Sequence, residues 1–81
     1  MFIGTIPAVL GGLVKLRRLD LSNNLLSGSI PLKLTQLSSL QELLLSHNKL
    51  SGFIPAQIGN LTKLSTLQLH SNTLEGIINI Y

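Results

Sequence analysis

The feature that most constrains this chain is a spacing of 24 residues that recurs from one end to the other. Gly4, Gly28, Gly52 and Gly76 keep it, as do Ile6, Ile30, Ile54 and Ile78, and Pro7, Pro31 and Pro55. Leucines keep it at 13/37/61, 16/40/64, 19/43/67, 21/45/69 and 26/50/74, and asparagine keeps it at Asn24, Asn48 and Asn72. A fixed period of about 20–50 residues, locked at this many positions, means a solenoid of stacked coils. The period also divides the 81 residues into a single array: a partial unit over 1–12, units over 13–36 and 37–60, and an incomplete unit over 61–81.

Within one unit the apolar steps are mixed. Leu16, Leu19 and Leu21 are separated by three and then two residues, which fits neither a helix nor a strand for long. The pattern is one coil read lengthwise. Leu19-x-Leu21 alternates as a strand with one buried face, and its copies at 43/45 and 67/69 are expected to stack as a parallel sheet. Asn24 and its copies fall where that strand must turn. An amide there can satisfy backbone groups of its own and adjacent coils. Gly28 and its copies suit backbone angles that other residues resist. The Ile-Pro step disfavours helix at isoleucine, and Leu34, Leu37 and Leu40 then recur every third residue, which suits a 3₁₀-like return. Gly11-Gly12 reads as the bend between coils.

The bulk numbers narrow the function classes. Hydrophobic residues make up 44% and aromatic ones 4%, so leucine and isoleucine must build the core of a folded chain. Net charge is +3 with only 11% charged residues, too little to suggest a nucleic-acid partner. With no cysteine there are no disulfides and no thiolate metal sites. No apolar run approaches the ~20 residues of a membrane span. The apolar start, Met1 to Leu10, lacks a basic n-region and is interrupted by Gly4 and Pro7, so it reads as part of the repeat rather than as a signal peptide.

Leu16-x-x-Leu19-x-Leu21-x-x-Asn24-x-Leu26 resembles the core of a leucine-rich repeat. The following Ser27-Gly-Ser-Ile-Pro31 and Ser51-Gly-Phe-Ile-Pro55, with the 24-residue period, resemble the plant-specific subclass. The resemblance implies a leucine-rich-repeat solenoid of about 3.5 units without caps. A parallel β-sheet would line its concave face, with short extended segments and 3₁₀ turns on the convex side. It also implies a non-catalytic recognition module without cofactors, extracellular or associated with the plasma membrane. Its partner would be a protein or peptide ligand, or a co-receptor, as in plant receptor-like ectodomains in signalling or defence. Two alternatives stay open: an inhibitor of an extracellular cell-wall hydrolase, similar to polygalacturonase inhibitors, and a repeat fragment with no activity of its own. Relatives of this kind carry more repeats and cysteine-bearing caps, so the chain is expected to be a fragment of such an array. Its last unit drifts, with Glu75 in the place of Ser27 and Ser51, and Asn79 in the place of proline.

The positions free to meet a partner lie between the strand leucines: Arg18, Asp20, Ser22 and Asn23; Glu42, Leu44, Ser46 and His47; Thr66, Gln68, His70 and Ser71. Three strands of about five residues give a face of roughly 200 Å², against the ~800 Å² per partner of a standard interface. The columns hold none of the aromatic residues that anchor binding hot spots. His47 and His70 sit on neighbouring coils, but a pair of histidines alone makes a poor metal site. Asp20, the histidines and Ser46 or Ser71 contain the residue types of a hydrolase triad, with nothing to supply an oxyanion hole. Lys15, Arg17 and Arg18 form the one basic cluster, which with Asp20 beside it reads as a solvated edge. Asn60-Leu61-Thr62 is the single N-glycosylation sequon. Finally, uncapped coils would leave Met1, Phe2, Ile3, Ile77, Ile78, Ile80 and Tyr81 in water, which predicts marginal stability or self-association through the ends.

Overall fold

In the computed structural model, which describes residues 1–75, each coil has three sides. The first carries short strands: β2 (Arg18–Asp20), β4 (Glu42–Leu44) and β6 (Thr66–Gln68). The second carries β1 (Ile3–Thr5), β3 (Leu25–Gly28), β5 (Lys49–Phe53) and β7 (Thr73–Glu75). The third carries 3₁₀ segments: η1 (Ala8–Gly12), η2 (Leu32–Gln36) and η3 (Ala56–Asn60). The strands form two parallel sheets, β2-β4-β6 and β1-β3-β5-β7. No Cα of a 3₁₀ segment lies within 8 Å of either sheet. The core fills the space between, led by Leu34, Leu37, Leu40, Leu43, Leu45 and Leu50, each essentially sealed from water.

The two sheets use different registers. In the first, Arg18 pairs with Glu42 and Leu19 with Leu43, one full period apart. In the second, Ile3 pairs with Leu25 and Gly4 with Leu26, so partners are 22 residues apart. A slide of two residues keeps every side chain on its own face, because the strand period is two. It places Gly28 against Leu50 and Gly52 against Leu74. Gly28 and Gly52 have φ of 76° and 79°, a region that costs other residues a clash with their own carbonyls. A Cβ on Gly28 would in addition meet Thr5 Cγ2 at 3.0 Å. Gly76 and the terminal Ile77, Ile78, Ile80 and Tyr81 lie outside the described residues.

The asparagine column links the sheets. Asn48 Nδ2 donates to the carbonyls of Leu45 (3.1 Å) and Ser46 (3.3 Å) in its own coil and of Leu21 (3.0 Å) in the preceding one. Asn72 does the same with Leu69, His70 and Leu45. On the other side of each amide, Oδ1 accepts a backbone N–H: Phe2 to Asn24, Leu26 to Asn48, Leu50 to Asn72. These bonds already span 22 residues, so each side chain is the first rung of the second sheet and sets its offset.

Proline enters each 3₁₀ segment. Pro7, Pro31 and Pro55 have φ near −60° and extended ψ, and their carbonyls accept the N–H of Leu10, Leu34 and Ile58. Gly11 and Gly12 are not the bend between coils but the end of η1 itself. Gly11 is buried, and a Cβ there would collide with the Lys33 carbonyl. The glycine is needed because η1 and η2 approach backbone to backbone. At the N-terminal end, Met1, Phe2 and Ile3 are exposed, as are Val9, Leu13 and Val14.

Candidate functional site

The strands β2, β4 and β6 align the twelve candidate side chains in adjoining columns, but these do not form one open surface. Arg18, Asp20, Asn23, His47, Gln68, His70 and Ser71 are exposed, and Ser22, Glu42 and Thr66 are half-buried. Leu44 and Ser46, on the central coil, are buried at 8% and 4% exposure. Each is flanked on both sides by the same column of a neighbouring coil. What a partner meets is therefore a ring of polar groups around a closed centre.

Charge is concentrated at one end of this face. Arg18 Nε lies 2.9 Å from Glu42 Oε2, and Arg18 Nη2 lies 3.3 Å from Asp20 Oδ2. One guanidinium thus bridges carboxylates on two successive coils. Asp20 Oδ1 also accepts the Ser22 hydroxyl and the Ser22 N–H. These Ser22 bonds, the hydroxyl first, hold the Asp20 carboxyl below the usual carboxylate range; partial desolvation opposes them and Arg18 adds to them. Asp20 is occupied with closing the turn after β2, and neither histidine is among its partners. At the other end, the His47 and His70 rings meet edge to face, with centroids 5.1 Å apart.

Asn23, His47 and Ser71 share a left-handed conformation, with φ of 58°, 57° and 58°. These equivalent positions are corners of the coil before they are anything else. Asparagine tolerates this region better than most residues, so Asn23 carried a weak signal of it. His47 shares that tolerance and Ser71 does not, and at both the inter-coil bonds enforce the geometry: His47 N–H donates to His70 C=O at 3.1 Å and Asn48 N–H to Ser71 C=O at 3.3 Å. The Arg18 bridge was within reach of the 24-residue register, which sets Arg18 directly beside Glu42. Phe53, 71% exposed on β5, stands outside the candidate set, on the other sheet.

Comparison with curated protein sequences gives no match. Solved structures are closely similar. The leucine-rich-repeat ectodomain of the receptor kinase SOBIR1 from Arabidopsis thaliana superposes with a TM-score of 0.89 at 39% identity, covering 94% of this chain and 41% of that one. The BIR3–SERK2 complex from Arabidopsis thaliana gives 0.86 at 44% identity, over 91% of this chain and 40% of that one. The ectodomain of GASSHO1/SCHENGEN3 from Arabidopsis thaliana, in complex with CASPARIAN STRIP INTEGRITY FACTOR 2, gives 0.90 at 41% identity, over 94% of this chain and 9% of that one. The chain thus spans less than half the length of these ectodomains. Among the described residues no helix is long and apolar enough to cross a membrane. The family pattern described as "Leucine rich repeat" matches residues 4–50 and 15–74, and the chain belongs to the leucine-rich repeat family.

Proposed function

We propose that the chain is a non-catalytic recognition segment of an extracellular, receptor-like ectodomain of the plant type, which contributes the β2-β4-β6 face to binding a peptide or a co-receptor. The observation that carries this reading is the likeness to receptor-kinase ectodomains over 94% of the chain at 39–41% identity. The face supports it chemically. Gln68, His70 and the Arg18 bridge present donors and acceptors to solvent, suited to an extended backbone and its polar side chains. The roughly 200 Å² of the whole three-strand face is a quarter of a standard footprint, so neighbouring repeats or a second protein complete the site.

A photo-reactive residue placed at Gln68 or at the exposed Gln57 of η3 separates this face from the convex side. Exposed to extracellular fluid from plant tissue, Gln68 should cross-link a peptide or an ectodomain, and Gln57 should not. Capture through Gln57 alone would overturn the assignment.

A further inference from the structure

The turn after each 3₁₀ segment is the same in all three coils. Leu13, Leu37 and Leu61 have φ of −83°, −77° and −82° with ψ of 66°, 75° and 78°, the inverse γ-turn region. The next N–H closes each turn: Val14 to Gly12 and Ser38 to Gln36 at 2.9 Å, and Thr62 to Asn60 at 3.0 Å. Leu37 and Leu61 point into the core at 0% and 4% exposure, so the residues on either side are pushed outward. Those flanking pairs are Gly12/Val14, Gln36/Ser38 and Asn60/Thr62. Only the third is an Asn-x-Thr acceptor sequence, and Asn60 and Thr62 are both exposed.

Asn60 also differs from the asparagines of the column that links the sheets. The amides of Asn24, Asn48 and Asn72 are consumed by backbone partners. Among the described residues, the Asn60 side chain has no hydrogen-bond partner, and its backbone carbonyl alone serves the turn. It sits at the end of η3, across the core from the β2-β4-β6 sheet, with no Cα of η3 within 8 Å of those strands. A bulky group there displaces no contact of the fold and does not cover the candidate face.

We infer that Asn60 is an N-glycan acceptor; the inference rests on the extracellular reading above. Asn60 Nδ2 forms the bond to C1 of the first N-acetylglucosamine of a lipid-diphosphate-linked oligosaccharide. The C1–O bond to the diphosphate breaks, and the amide proton leaves with the lipid diphosphate. The product is a surface modification of the convex side that adds solubility where the coil carries few charges.

The test is to express the chain behind a cleavable secretory leader in plant cells and follow one peptide by mass spectrometry. Trypsin releases Leu50–Lys63, in which Asn60 is the sole asparagine. It should carry the glycan, and peptide N-glycosidase should convert Asn60 to aspartate. Asn60→Gln and Thr62→Ala should abolish the modification, and Thr62→Ser should retain it. Gln36→Asn, which makes Asn-Leu-Ser at the same turn one coil earlier, should add a second glycan. Transfer precedes export, so chain retained in the cell is scored in the same way. A bare Asn60 on chain that has entered the pathway overturns the inference and leaves the extracellular reading standing. The same peptide found bare in the cytosolic fraction of plant tissue, and absent from the extracellular fraction, overturns that reading instead.

Discussion

Leu19 and Leu43 occupy the same place in successive coils, on β2 and β4, and they do not share the same environment. Leu43 is 1% exposed, Leu19 is 9% exposed, and Leu67 on β6 is only half-buried. Leu45 is sealed at 0%, whereas Leu21 and Leu69 are half-buried. The local sequence and the strand geometry are alike in the three coils, so the difference comes from what lies on either side. In this fold, burial belongs to the interface between coils, and a coil with one neighbour has about half of what a central coil has.

Truncation of the central leucine should therefore have the largest effect. Leu43→Ala is expected to cost about 2–5 kcal/mol, and Leu19→Ala and Leu67→Ala distinctly less, measured by denaturant unfolding. Equal losses at the three positions would mean that the array folds as one undivided core and that the coil-by-coil comparison fails.

The next test moves the comparison to the convex side. Gly11→Ala drives a methyl group into the Lys33 carbonyl and should cost about 1–3 kcal/mol or part η1 from η2. Gly12→Ala has no atom within 4 Å to meet and should be neutral, or stabilising by up to about 1 kcal/mol through the unfolded chain. A neutral Gly11→Ala would show that the first coil yields freely.

Asparagine repeats the contrast in hydrogen bonds. Asn48 serves two coils with its amide group, whereas Asn24 donates only to Leu21 and Ser22 of its own. Asn48→Ala should cost about 1–3 kcal/mol and Asn24→Ala less. Hydrogen exchange should report the loss at the Leu26 amide in the first case and at the Phe2 amide in the second. Glu42→Ala, beside Leu43 on the same strand, removes only a half-buried ion-pair partner of Arg18 and should cost about 0–1 kcal/mol. A loss as large as that of Leu43→Ala would reverse the assignment of inward and outward faces.

The coil was legible because its shape residues recur. Leu19, Asn24, Gly28 and Pro31 each do a job that few residues can do, and the 24-residue spacing repeats that job. The 22-residue register of the second sheet was not legible. A column in the sequence suggests that like stacks on like, and only the asparagine bonds in three dimensions slide glycine against leucine. The candidate site was legible in place but not in exposure. Alternation puts Leu44 and Ser46 on the outer face of their strand, and their burial comes from residues 24 positions away in both directions. Gly11 was misread for a related reason: its constraint is a carbonyl on the next coil.

The smallest effect lies in the first coil's turn, where Asp20 does for Ser22 what, among the described residues, none does in the later coils, whose equivalents are Leu44 and Gln68. The Ser22 hydroxyl and N–H bind the carboxylate form, so the folded-state value is depressed below the ordinary one of about 3.9. A depressed carboxyl contributes stability above its unfolded value and loses it as pH falls through the folded value. At neutral pH, Asp20→Asn should therefore melt slightly below the parent chain. That gap should begin to close below about pH 4 and vanish once Asp20 is protonated in the folded chain. Thermal melts of the two chains across this range measure it as a difference, in which everything the two chains share cancels. A gap that persists unchanged at low pH would mean that Asp20 acts through its shape in the turn rather than through its charge.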